Sequence, residues 1–211
     1  MSDKETLAQQ AYRDIKQRIL EGAIKAGDLL TERTLAVESG ISRTPLRAAI
    51  SRLQKEGVVS RLTNGTLMIL PVSVEQLLEI VQIRRLLEGA AAARAAGRPM
   101  TAALVEARRV MRAYVEAEDV AFDRFWMDDD AFHEAVAAAA GLHLLPGMLQ
   151  EMRSIARRCT ITRTHDRFAE QAAEHIAVID AIEARDADAA AAAMEAHFDS
   201  VRSRFLKWLA R

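Results

Sequence analysis

The chain lacks most of what marks a secreted or membrane-spanning protein. It has one cysteine, Cys159, so no internal disulfide can form, and a reducing compartment is expected. Its first ten residues, Met1 to Gln10, are polar and contain no apolar signal-peptide core. No apolar run approaches the roughly 18 residues that a membrane span needs. The alanine-rich stretches are interrupted by Arg94, Glu134 and Glu195. No internal repeat is visible. The formal net charge is -1, so no overall field announces a nucleic-acid partner. These absences point to a cytoplasmic chain without a membrane anchor. What is present fits a folded globular protein: 50% hydrophobic residues and 28% charged ones over 211 positions. That length suffices for one sizeable core or two small ones. The charge is also unevenly spread. Residues 1–72 carry 11 Lys and Arg against 8 Asp and Glu, whereas residues 73–211 carry 18 against 22. A mildly basic first part and an acidic second part suggest two jobs.

The pattern of the first part is helix, helix, helix, hairpin. Ala11, Ile15 and Ile19 recur at helical spacing, and Gly22 follows as a stop. Thr31 can cap a short helix that reaches Glu38 and ends at Gly40. Ser42 can cap the next, with Pro45 tolerated in its first turn, and Gly57 provides a left-handed terminator. Val58–Leu62 and Thr66–Leu70 are β-type runs around Thr63-Asn64-Gly65, a hairpin signal. Pro71 marks the expected domain boundary. Beyond it the spacing predicts six helices, over about 73–96, 101–118, 120–140, 144–162, 167–184 and 187–210.

Two groups of residues stand out chemically. In the helix from Ser42 to Glu56, Leu46, Ala49, Ile50 and Leu53 form one buried stripe, while Arg43, Arg47, Ser51 and Gln54 occupy the other side. Between residues 42 and 62, five basic side chains face only Glu56. A basic amphipathic helix alone is commonly just a solvated surface helix. Here a short helix, a glycine turn and a following hairpin accompany it, which is the build of a winged helix-turn-helix. The second group consists of polar residues on inner stripes. Asp129 and His133, one turn apart, join Phe125 and Phe132; His175 joins Ala172 and Ile179; His197 joins Met194 and Val201. Each histidine taken alone reads as a satisfied core residue. Three imidazoles and a carboxylate together suit a divalent metal, zinc first, with nickel, manganese or iron as alternatives. Arg84 and Glu88 share a side with Leu77 and Val81, as an intrahelical salt bridge or as a pocket arginine for a carboxylate ligand. His143 and His165 fall near turns and read as surface residues. Arg153, Arg157 and Arg158 fit either a pocket wall or a solvated face.

The stretches "IKQRILEGAIKAGDLLTERTLA", "SGISRTPLRAAISRLQKEGVV" and "NGTLMIL" resemble the DNA-binding domain of the GntR family of repressors. The resemblance implies DNA contacts from Arg33, Arg43, Arg47 and Gly65, with Thr44 on a phosphate. Three positions depart from the family pattern: Ala26 for a usual Pro, Ala48 for a usual Glu, and a wing tip without its usual basic residue. "IRRLLEGAAAARAA", "DDDAFHEAVAAAAG" and "EHIAVIDAIEARDADAAAAAMEAHF" resemble the effector domain of the FadR-like (FCD) branch, and six helices resemble its shorter, VanR-like form. This implies a metal on Asp129, His133, His175 and His197, an effector arginine at Arg84, small organic acids as effectors and a homodimer. His143 departs from a usual Asn. The expectation is a mainly α chain. Residues 1–71 form a winged helix-turn-helix that binds operator DNA, and residues 72–211 form an all-α six-helix effector-binding and dimerisation bundle. The expected function is a transcriptional regulator, a repressor by default, and no enzyme. Two alternatives remain at this stage: a regulator whose metal is only structural, and a helical metalloenzyme using the same site.

Overall fold

The computed structural model describes residues 5–159 and 167–209; His165 and residues 160–162 of the fourth expected sensor helix lie outside them. The chain divides after Ser73 into two compact units.

The first unit begins with α1 (Leu7–Leu20), which starts four residues before the apolar spacing does. Its first turn, Leu7 to Gln10, is largely solvated and adds nothing to the buried stripe, so the stripe does not reveal it. A capping box holds it instead: Thr6 Oγ1 accepts from the Gln9 amide at 3.2 Å, and Gln9 Oε1 accepts from the Thr6 amide at 2.8 Å. Next come β1 (Leu29–Leu30), α2 (Glu32–Ser39) and α3 (Arg43–Lys55). Thr31 caps α2 through the Thr34 amide at 3.0 Å. Gly40 sits at φ 65°, the left-handed conformation that ends α2 and turns the chain into α3. Ser42 occupies the cap position of α3 but makes no side-chain capping bond. That helix is held by its buried stripe: Leu46, Ala49, Ile50 and Leu53 are all at most 1% exposed. They pack on Ala11, Ile15 and Ile19 of α1 and on Leu35 of α2.

Strands β2 (Val59–Arg61) and β3 (Leu67–Ile69) form the expected hairpin, Val59 opposite Ile69 and Arg61 opposite Leu67. Strand β1 adds antiparallel to the other edge of β3, giving the order β1-β3-β2. Two residues are too few to show a period, so the sequence hid this strand.

The second unit consists of α4 (Val74–Ala96), α5 (Ala102–Glu116), α6 (Phe122–Ala139), α7 (Leu145–Ala156), α8 (Phe168–Glu183) and α9 (Ala187–Leu209). Helix α9 lies against α4 and α8, and α8 against α5. Phe125, Phe132, Phe198, Leu104 and Ile179 fill the core, with alanines of α4 allowing close helix approach. Buried polar side chains concentrate in this unit: Glu88, Asp129, His133, Arg153, His175 and His197. Among the described residues no helix is long and apolar enough to cross a membrane.

One ionic knot ties α1 to the end of α3. Glu56 accepts from Tyr12 Oη at 2.7 Å, Arg52 Nε at 3.0 Å and Lys16 Nζ at 3.2 Å. Burial would raise the Glu56 carboxyl, but these three donors outweigh it and hold the group below its ordinary 4.5. A depressed carboxyl stabilises the fold fully above its unfolded value and loses that contribution as pH falls through its folded one. Denaturant titrations between pH 3 and pH 7 should therefore show a steeper acid loss for the parent chain than for Glu56→Gln. Parallel curves would rule out this knot as an acid-sensitive tie.

Candidate nucleic-acid interface and buried histidine cluster

The exposed side of the first unit gathers the basic residues singled out by the sequence. Arg33, on α2, and Arg43, Thr44 and Arg47, on the first two turns of α3, are all exposed. Gly65, at φ 83°, turns the exposed tip of the β2–β3 hairpin. Arg47 Nε donates to Glu32 Oε2 at 2.8 Å, and Arg61 on β2 donates to the other oxygen of the same carboxylate at 2.7 Å. Arg52 has turned away, its guanidinium 3.9 Å from the centre of the Tyr12 ring. The local positive balance is thus divided. Arg47 and Arg61 share Glu32 and Arg33 and Arg43 are exposed, while Arg52 and Lys16 serve the ionic knot.

In the second unit the three histidines converge. His133 stands on α6, His175 on α8 and His197 on α9, each at most 1% exposed. One nitrogen from each lies within 4.8 Å of the others. Asp129, one turn before His133, places Oδ1 3.7 Å from His133 Nε2 and 3.4 Å from His175 Nε2. Gln171 Nε2 donates to that same oxygen at 2.6 Å. The remaining ring nitrogens are held from behind. His133 Nδ1 is 2.5 Å from Glu88 Oε2, and His197 Nδ1 is 2.8 Å from Glu174 Oε2. His175 has a weaker support, Met111 Sδ at 3.4 Å from Nδ1, and its ring stacks on Phe132 with centroids 4.0 Å apart. Its Nε2 is buried and makes no hydrogen bond.

Electrostatics disfavour the charged forms of His133 and His175. Burial first, then the charges of Arg84 and Arg153, push His133 well below the usual histidine range. Burial, His197 and Arg153 do the same to His175. Glu174 goes the other way. Burial opposes its ionisation, but His197 and Arg204 outweigh it and lower the carboxyl to about 2. Arg204 reaches Glu174 with two bonds, at 2.9 and 3.1 Å.

A cavity adjoins the cluster. Asp129, His133 and His197 form its polar wall with Arg84, Trp126 and Arg204. Arg84 Nε pairs with Glu88 at 2.7 Å, and its side chain also lines the cavity. Its Nη2 and the Trp126 Nε1 are buried donors without a hydrogen-bond partner. Arg153 is buried and donates Nη1 to the Asp130 carbonyl at 2.9 Å, and Arg157 forms an ion pair with Asp130. Neither of them, nor Arg158, lines this cavity. His143 is exposed.

The sequence reading missed the supporting residues. Glu88 was visible only as a partner of Arg84, yet it bridges Arg84 and His133. Gln171 lies one turn before His175, and Arg204 two turns after His197, so both share the histidine stripes and were findable by spacing. Glu174 and Met111 carry no such signal, because each acts across a helix interface.

A donor set of three buried imidazoles and one carboxylate, with His175 Nε2 buried and making no hydrogen bond, fits a divalent metal ion. Residues 7–69 match the family model "Bacterial regulatory proteins, gntR family", and residues 79–200 match the FCD domain. The gluconate operon transcriptional repressor of Bacillus subtilis (strain 168) is 25% identical, over 97% of this chain and 86% of its own. The HTH-type transcriptional repressor RspR of Escherichia coli (strain K12) is 24% identical, over 92% and 86%. Among solved structures, E. coli McbR/YncC has a TM-score of 0.72 at 21% identity, covering 98% of this chain and 100% of that one. A GntR regulator from Rhodococcus sp. RHA1, described as a putative transcriptional regulator, also scores 0.72, at 18% identity, with 95% and 97% covered.

Proposed function

Because this chain belongs to the gntR family of bacterial regulatory proteins and carries an FCD domain, we propose that it is a transcriptional repressor whose grip on DNA is set by a small carboxylate bound beside a divalent metal. DNA binding and transcription regulation follow from the family, whose relatives here are regulators rather than enzymes. The metal and the acid are the finer reading. The observation that carries it is the buried convergence of His133, His175 and His197 beside Asp129, next to a cavity that Asp129, His133 and His197 line together with Arg84 and Trp126, whose Nη2 and Nε1 make no hydrogen bond.

Each residue has a role in this account. Asp129, His133, His175 and His197 hold the metal, zinc by donor type, with nickel, manganese or iron as alternatives. When bound, the metal supplies a positive centre for an anionic oxygen. Glu88 and Glu174 accept from the Nδ1–H groups of His133 and His197, which fixes the rings and raises the basicity of the other nitrogen. The depressed protonation of His133 and His175 leaves their lone pairs available at neutral pH. Arg84 Nη2 and Trp126 Nε1 offer hydrogen bonds to the acid. A gluconate operon, as named for the Bacillus subtilis relative, concerns a polyhydroxy carboxylate, whose acid group is of the kind this reading calls for.

On the DNA side, Arg43 and Arg47 enter the major groove from the first turns of α3 and pair with base edges. Thr44 meets a phosphate, Arg33 approaches from α2, and Gly65 lets the wing tip come close to the duplex. Two copies pair as a homodimer and read half-sites about one helical turn apart. The acid shifts the second unit between states with different DNA affinity. A purely structural metal is the weaker reading, because a sealed structural site needs neither an adjoining cavity nor free donors.

Mass spectrometry of the purified chain is expected to find about one divalent metal ion per copy, as four-ligand sites take. His175→Ala should lose most of it while retaining the helical circular-dichroism signal; undiminished metal content in that variant would remove His175 from the site. Arg47→Ala should cost specific duplex binding about tenfold or more at fixed salt, within the range of one bidentate base contact. Unchanged discrimination between specific and random duplexes would take base reading away from Arg47.

A further inference from the structure

An acidic side chain stands in the middle of the proposed DNA-reading face, where phosphates would repel it. Glu32 opens α2 directly after its Thr31 cap, at a helix N-terminus that favours a carboxylate. Both of its oxygens are in use. Oε2 accepts from Arg47 Nε at 2.8 Å, and Oε1 accepts from Arg61 Nη2 at 2.7 Å. Arg61 then extends to the hairpin tip, where Nη1 donates to the Gly65 carbonyl at 3.3 Å. One carboxylate therefore joins three separate pieces of the face: the first turn of α2, the middle of α3 and the wing.

The exposures give the order of the layers. The Glu32 side chain is 17% exposed, against 65% for Arg47 and 37% for Arg61. The acid is the inner member, and the arginines cover it. Arginine carries its five donors on a planar fork. Engaging Nε from the side leaves the two terminal amino groups of Arg47 as the outward edge, the one that pairs with O6 and N7 of guanine. The same contact limits the rotamers of a long, exposed side chain, so less freedom is lost when it meets a base. Arg61 is occupied at both terminal nitrogens and works as a strut.

We propose that Glu32 is a positioning residue for operator reading: it presents Arg47 to a guanine edge. The inference rests on the reading of Arg47 as a base-contacting residue. It separates two effects that ordinarily move together. Removing Glu32 deletes a negative charge facing phosphates, which favours binding to any duplex. It also frees Arg47, which weakens binding to the correct one. A residue needed only for folding would lower both.

The test uses the full chain, a duplex selected by the parent protein from a random library, and a scrambled duplex of equal length, at one fixed salt concentration. Glu32→Ala is expected to reduce the ratio of specific to scrambled affinity by about tenfold, the lower range for one bidentate contact, with the scrambled affinity unchanged or raised. Placed on Arg47→Ala, it should reduce the ratio no further. Glu32→Gln, which keeps an acceptor of the same size, should lose less of the ratio, and it serves as the variant should the alanine form melt early. An unchanged ratio, an equal loss on both duplexes, or a further fall in the Arg47→Ala background overturns the proposal. Arg47→Ala alone fails separately: a retained ratio there removes the base-reading role of Arg47, and Glu32 then has nothing to position.

Discussion

Polar groups taken out of water need partners, and the second unit is organised around that requirement. Four helices bring His133, His175, His197, Asp129 and Glu88 into a core otherwise filled by phenylalanine and aliphatic side chains. Each unpaired polar group there costs about 1–3 kcal/mol. Glu88 and Glu174 answer two of the imidazoles, and Arg84 and Arg204 answer those carboxylates in turn. Several buried polar atoms of this unit still make no hydrogen bond, among them His175 Nε2 in the cluster and, on cavity-lining side chains, Arg84 Nη2 and Trp126 Nε1. The proposed metal and acid are the partners that such a remainder requires.

The first unit uses the same device on an exposed face. Glu56 collects Tyr12, Lys16 and Arg52 and secures α1 to α3, while Glu32 collects Arg47 and Arg61. Two carboxylates thus divide four basic side chains of this unit between a tie from α1 to α3 and a second one that joins α2 to α3 and β2. Net charge hides this division, because an arginine bound to Glu56 and one bound to Glu32 count alike.

Periodicity made the helices legible wherever an apolar stripe ran through them, as in α3 and α6. It failed at the start of α1, whose first turn is solvated and is held by the Thr6–Gln9 capping box, and at β1, whose two residues pair only because β3 lies beside them. The histidines were legible because each broke an apolar stripe. Their supports were less so. Arg84 and Glu88 look like an ordinary one-turn pair until α6 packs alongside and places His133 against Glu88. Glu174 and Met111 become supports only when α9 and α8 are laid against their neighbours. Partnerships across helix interfaces have no spacing in the sequence, so no one-dimensional pattern carries them.

The link between the two units is best tested by fluorescence anisotropy on a labelled duplex selected by the parent chain. Affinity would be measured for metal-loaded and chelator-stripped protein, each with and without D-gluconate and a panel of small hydroxy acids. A change of affinity produced by an acid in the loaded protein alone is the expected result. The same affinity in all four conditions, across the panel, would contradict a repressor controlled by an acid at a metal.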